Sequence, residues 1–181
     1  MESLDIIKSS LDSNPNLDDE IKNKLFELSI ILNKKIPSVN LNKLSEKLKT
    51  VKLGRISRFE KKGVYFYDVF SNEIQFSSDK LKKDYDLTNI FMQAILSMAT
   101  SADGYTGFNS DERLKTLNMA YTQILADYLV GNEESSELEE EMLVTNLLSH
   151  IIGKDTLFNA YFTNDGTPII VAMQEAEVGL I

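Results

Sequence analysis

Apolar residues keep to a helical spacing along almost the whole chain and leave it in one place. From Val51 to Phe76 apolar and polar residues roughly alternate, in a stretch rich in Val, Ile, Tyr and Phe. Alternation sends successive side chains to opposite faces, which is the pattern of a half-buried strand. Gly63 and Ser71-Asn72 supply turn chemistry, so the pattern predicts two or three short antiparallel strands, with Val64–Val69 and Glu73–Ser77 the clearest pair. A lone β region of this size must bury its apolar face against helices. The fold class expected is therefore α+β and predominantly helical: a helical bundle with a small antiparallel β-hairpin sheet.

The helices are placed by period and by their ends. Leu4–Leu11 is the first, closed by the Ser13-Asn14-Pro15 turn. Leu17–Asn33 follows, with Asn16 as its expected cap and Asp18, Asp19 and Glu20 in the first turn, where the helix dipole favours anions. Lys34 and Lys35 close it and Pro37 prevents its continuation. Asn40–Leu48 is short, with Leu41, Leu44 and Leu48 on one face. Beyond the strands, Leu87, Ile90, Phe91, Ala94, Ile95 and Met98 hold i, i+3, i+4 spacing and predict a helix over Thr88–Thr100. A loop, Ser101–Asn109, carries Gly104 and Gly107, for which turn formation is the simplest use.

The next helix runs from Leu114 to Leu129, with Ser110 as cap and Gly131 past its end. An acidic run, Glu133–Glu141, opens a further helix through Ile152 that Gly153 stops. Leu157–Phe162 and Pro168–Ala176 complete the set, with Thr167 as the cap of the last. No repeat or flexible linker interrupts the chain, so residues 1–181 are expected to form a single domain. Its parts are N-terminal helices (1–50), a small sheet (51–77) and a helical remainder (78–181).

Composition removes several function classes. The formal net charge is −9, whereas a nucleic-acid binder needs clustered Lys and Arg to replace phosphate counterions. The densest basic stretch, Lys43–Lys62, is broken by apolar and acidic residues. There is no cysteine, so disulfides, thiolate catalysis and Cys-ligated zinc are excluded. Met1–Leu11 carries Glu2 and Asp5 and lacks the apolar core of a signal peptide. No apolar run is long enough to span a membrane. The cytoplasm is the expected compartment, and abundant Lys, Asn and Ile suggest an AT-rich bacterial genome.

Nucleotide-binding glycine patterns and the Gly-x-Ser-x-Gly elbow are absent. His150 is the only histidine, too few for an imidazole metal site, and reads as a surface or core-edge residue. The acidic run Glu137–Glu141 lacks the alternating ligands and glycine of a calcium loop and suits a solvated helix start.

The order of strand pair, helix, Gly-containing loop and second helix resembles a zincin-type metallopeptidase of the gluzincin kind. Met92-Gln93-Ala94-Ile95-Leu96-Ser97-Met98-Ala99-Thr100-Ser101 stands where His-Glu-Leu-Leu-His-Met-Ala-Thr-Ser would be expected. Leu117-Asn118-Met119-Ala120-Tyr121-Thr122 stands where Leu-Asn-Glu-Gly-Tyr-Thr would be. Ile151-Ile152-Gly153, with Leu157 and Ala160-Tyr161-Phe162, also looks like the tail of small bacterial proteins of this kind. The resemblance covers roughly Val64 to Phe162.

Carried over position by position, the resemblance implies a site that has lost its chemistry. Gln93 stands for the first histidine ligand, Ser97 for the second and Met119 for the third ligand. Ala94 stands for the glutamate that would act as general base. Zinc hydrolysis needs two imidazoles one helical turn apart, an anionic third ligand and a base near the bound water. The expectation is a pseudoenzyme with no catalytic residue, no metal and no cofactor, in which Met119 packs against Ser97 and Gln93.

Function would then fall to binding an unknown protein or peptide, held as an extended strand by β-augmentation. Tyr65, Tyr67, Tyr105 and Tyr121 are the aromatics nearest such a cleft, although packing in the core or hairpin would occupy most of them. Two other classes stay open. One is an enzyme using Glu73, Asp103, Asp111 or Asp127 as acid–base carboxylates. The other is a structural protein that forms homo-oligomers through exposed apolar helix faces. Neither a nucleic acid nor a membrane is an expected partner.

Overall fold

The computed structural model describes residues 2–56, 65–77, 87–109, 112–131 and 138–178. Three helices come first: α1 (Glu2–Asp12), α2 (Asp19–Lys35) and α3 (Leu41–Leu48). Three strands follow, β1 (Lys52–Ile56), β2 (Tyr65–Asp68) and β3 (Glu73–Ser77). The remainder is helical: α4 (Leu87–Ala99), a 3-10 turn at Glu112–Leu114, α5 (Lys115–Val130), α6 (Glu139–Ile152), α7 (Lys154–Thr163) and α8 (Thr167–Val178). Among the described residues no helix is long and apolar enough to cross a membrane.

The helical α+β class is as the periodicity predicts, but the sheet is not a simple hairpin. Strands β2 and β3 do pair antiparallel, Tyr67 opposite Ile74 and Tyr65 opposite Phe76. On the other side of β3, β1 pairs parallel, Leu53 beside Ile74, so the order is β1-β3-β2. Alternation along β1 reveals that it is a strand and which residues share a face. It says nothing about which neighbour the strand joins or in which direction.

Helix α4 is the centre of the molecule. Asn89 to Ala99 are buried without a break, and α2, α3, α5 and β2 all pack on it. Leu25, Leu28 and Leu32 of α2 and Leu41, Leu44 and Leu48 of α3 supply buried leucines spaced at helical intervals. From the sheet, Phe76 meets Phe91 edge to face, with ring centroids 6.0 Å apart. The apolar core is continuous from Ile7 in α1 to Ile169 in α8.

Caps differ from expectation at two helices. Asp18, not Asn16, caps α2, its carboxylate accepting from the Ile21 backbone N–H at 2.9 Å. At α8 the Asp165 carboxylate accepts from the Thr167 N–H at 2.9 Å, and its pKa is lowered by the hydrogen bonds from Thr167. The expected cap Ser110, Asp111, and the start of the acidic run at 133–137 lie outside the described residues.

Residues Asn14 and Asn16 of the first turn have tertiary work instead. The fully buried Asn14 donates from its amide to the Leu48 and Val51 carbonyls at 2.8 and 3.0 Å, and its own oxygen accepts from the Asn16 N–H at 2.8 Å. One side chain thereby ties the α1–α2 turn to the end of α3 and the start of β1. Replacing it strands two buried carbonyls, each expensive to leave unpaired. Asn14→Ala is expected to lower unfolding free energy by about 2 to 4 kcal/mol in urea denaturation followed by circular dichroism.

Candidate functional site

Of the positions singled out by sequence, Gln93 lies on the seam between α4 and α5. Asn89 and Gln93 are one turn apart on α4; Gln123 and Asp127 are one turn apart on α5. The Asn89 amide donates to the Asp127 carboxylate at 2.6 Å, and the Gln93 amide donates to Gln123 Oε1 at 3.0 Å and to Asn89 Oδ1 at 2.7 Å. The Gln123 amide closes the ladder, donating to Asn89 Oδ1 at 3.3 Å and to Asp127 at 3.2 Å. The rungs Asn89–Asp127 and Gln93–Gln123 show that the two helices run antiparallel.

The α5 residue bonded to Gln93 is thus Gln123, one turn beyond the half-buried Met119. The Ser97 hydroxyl is hydrogen-bonded to the Tyr65 hydroxyl of β2 at 2.8 Å. Ala94 is fully buried. The four positions therefore offer an amide engaged twice, a methyl, a hydroxyl held by tyrosine and a thioether. That is not a donor set for zinc, whose ligands are imidazole, thiolate and carboxylate. Among the described residues no group of three or more His, Asp or Glu side chains is placed to hold a metal ion.

The candidate acid–base carboxylates occupy different parts of the fold. Glu73 is on β3, accepting from the Gln75 amide at 2.8 Å. Asp103 is exposed in the loop after α4 with φ 48°, and Asp127 belongs to the seam. His150 is exposed on α6.

Three of the four tyrosines are built into the interior. The Tyr65 hydroxyl is buried against Ser97, and burial pushes its pKa well up. Tyr67 is buried and donates to Asn72 Oδ1 at 2.6 Å, while the Asn72 amide reaches the Lys47 carbonyl and Thr50. Tyr121 belongs to a ring cluster with Phe108 and Tyr161, centroids 5.3 to 5.9 Å apart. Burial raises its pKa from 10.0 to about 12. The Thr122 hydroxyl donates to the Asn118 carbonyl at 2.8 Å, so Tyr161 must donate to Thr122 across 2.9 Å.

Tyr105 is the exception, at 42% exposed. It is presented by a pinned loop. Thr100 at the end of α4 accepts the Gly107 N–H at 3.0 Å, and Asn118 accepts the Phe108 N–H at 3.0 Å. Asn164, just past α7, donates to the carbonyls of Thr100 and Gly107. Gly107 has φ +55°, and a Cβ there would fall 2.1 Å from Asn118 Oδ1 and 2.5 Å from the Tyr161 ring. Within this loop Ala102 and Tyr105 exchange backbone hydrogen bonds of 2.9 and 2.8 Å.

A second exposed aromatic, Phe70 of the β2–β3 turn, reaches the same loop. Phe70 is 88% exposed, yet its ring sits over Gly104, where an added Cβ would come within 2.7 Å. The Asp68 carboxylate fixes this turn by accepting the Phe70 N–H at 2.9 Å. A large aromatic in a turn next to Ser-Asn was the available signal.

No family model, curated protein or solved structure matches this chain.

Two outcomes follow from the buried polar groups. Gln93→Ala removes a donor shared by Asn89 Oδ1 and Gln123 Oε1, and should cost about 2 to 4 kcal/mol in the same urea titration. The raised tyrosine pKa values set an alkaline limit. A hydroxyl that ionises near 10 unfolded and about 12 folded contributes its full stability below pH 10 and loses it as pH rises through 12. Melting temperature should therefore fall steeply over that interval, and tyrosinate absorbance should rise together with the loss of helical ellipticity.

Proposed function

We propose that this chain is a non-catalytic relative of the zincin-like kind, a protein- or peptide-binding module that works without turnover. The exposed aromatics Phe70 and Tyr105 carry the reading. The Phe70 ring lies over Gly104, the residue before Tyr105, and both backbone turns are held by hydrogen bonds, so two exposed aromatics from different segments meet at one loop. Aromatic side chains held rigid before binding give large contact area at little entropic cost, which is how interface anchors work. The seam that the resemblance assigns to catalysis supports the same reading, because Gln93 and Ser97 are already satisfied by Gln123, Asn89 and Tyr65. Its side chains are engaged in holding α4, α5 and β2 together rather than left for a substrate.

The partner on this reading is a segment with an apolar side chain that packs across both rings. Panning a phage-displayed random peptide library against the full chain should enrich sequences with such a residue. Combined Phe70→Ala and Tyr105→Ala substitution should weaken an enriched peptide at least about tenfold, with unchanged thermal unfolding. The peptide should stay intact by mass spectrometry during incubation with the protein and zinc. Equal binding by the double variant, or cleavage of the peptide, would overturn the proposal.

A further inference from the structure

Helix α6 packs on α5 and α7, with Thr145 buried and Leu148 and Ile152 against the core. Its other side is the reverse of a normal solvent face. At about 100° per residue, Glu140, Leu143, Val144, Leu147, His150 and Ile151 fall within one arc of about 120°, and all six are exposed. Leu143, Leu147 and Ile151 are 61%, 56% and 68% exposed. Four large aliphatic side chains in one stripe are more than scattered surface apolar residues, and such a stripe marks a contact surface.

We propose that a second copy of this chain covers it, with the two α6 helices antiparallel across a two-fold axis. The polar residues at the two ends of the stripe choose this occupant, since a Glu carboxylate accepts the hydrogen bond that an imidazole N–H donates. The stripe begins with Glu140, beside Glu139 in the acidic first turn, and ends with His150 beside Ile151. The midpoint between Leu143 and Leu147 is also the midpoint between Glu140 and His150. An antiparallel register that sets Leu143 against Leu147 of the copy therefore also sets Glu140 against His150 of the copy, twice. A two-fold interface must be complementary to itself in this way. The antiparallel arrangement further places the negative end of each helix dipole beside the positive end of the other. Each helix is about 21 Å long, so the interface lies at the small end of the range and the dimer is weak, of micromolar order.

This inference goes beyond peptide binding at Phe70 and Tyr105, which is read in a separate assay. Sedimentation velocity of the full chain from about 5 to 500 µM tests it. The expected result is a reversible monomer–dimer equilibrium, abolished by Leu147→Glu with an unchanged melting curve, since that side chain is exposed. His150→Glu and Glu140→Lys should each weaken dimerisation about threefold or more, and the two together should restore it to within about twofold of the original. A chain that stays monomeric throughout, or a dimer indifferent to Leu147→Glu, would overturn the proposal. A double variant no better than either single one would overturn the antiparallel register.

Discussion

A helix buried on every side has no solvent to satisfy its polar side chains, so each one must find a partner inside the protein. Helix α4 is in that position. Its apolar residues hold the core through α2, α3 and the sheet, but Asn89, Gln93, Ser97 and Thr100 decide how the neighbours sit. Asn89 and Gln93 fix the register of α5 through Gln123 and Asp127. Ser97 receives Tyr65 from β2, and Thr100 holds Gly107 in the loop that follows. Apolar packing alone tolerates sliding, whereas a ladder of amides has one alignment in which all its members are paired.

The same device recurs wherever sequence-distant segments meet. Asn14 joins the first turn to α3 and β1, Asn72 joins the hairpin turn to the end of α3, and Asn164 joins α7 to the loop after α4. A side-chain amide can mimic a peptide group, donating to one backbone carbonyl while accepting from an N–H, so it suits turns that must be fastened to another element. Net gains per bond are modest, about 1 kcal/mol, but the buried carbonyls they satisfy would otherwise be costly. This fastening also shapes the surface. The loop that presents Tyr105 is fastened on its far side by Thr100, Asn118 and Asn164, and Phe70 is placed by the turn that Asp68 and Asn72 fix.

Much of the element pattern was legible because it is local. The leucines of α2 and α3, the i, i+3, i+4 run of α4 and the glycine after α5 report backbone geometry directly, and the observed helices agree to within a few residues. The sequence carries a further signal: no charged residue occurs from Leu87 to Ala102. A surface helix of that length would carry charge on its wet side, so the run marks α4 as buried all round and its amides as internal ligands of one another. The caps were less legible, since Asn16 and Asp18 are both good capping residues and only the position of the first helical turn selects between them. Tyr65, Tyr67 and Tyr121 pack in the core and hairpin, as expected of most of the four tyrosines, and which one stays exposed was not legible for a similar reason. Tyrosine suits both a wet rim and a buried site with a partner for its hydroxyl.

The sequence by itself determined which segments are helix or strand and which face of each is apolar. It also determined that the chain has no cysteine and a single histidine. Those properties reside in single residues and in short spacings. The tertiary structure alone decided that β1 joins β3 in parallel, that Gln93 pairs with Gln123, that the Phe70 ring lies over Gly104, and that an apolar stripe of α6 faces outward. Each of these depends on what a surface meets across the fold, and a periodic pattern specifies the surface without specifying its neighbour.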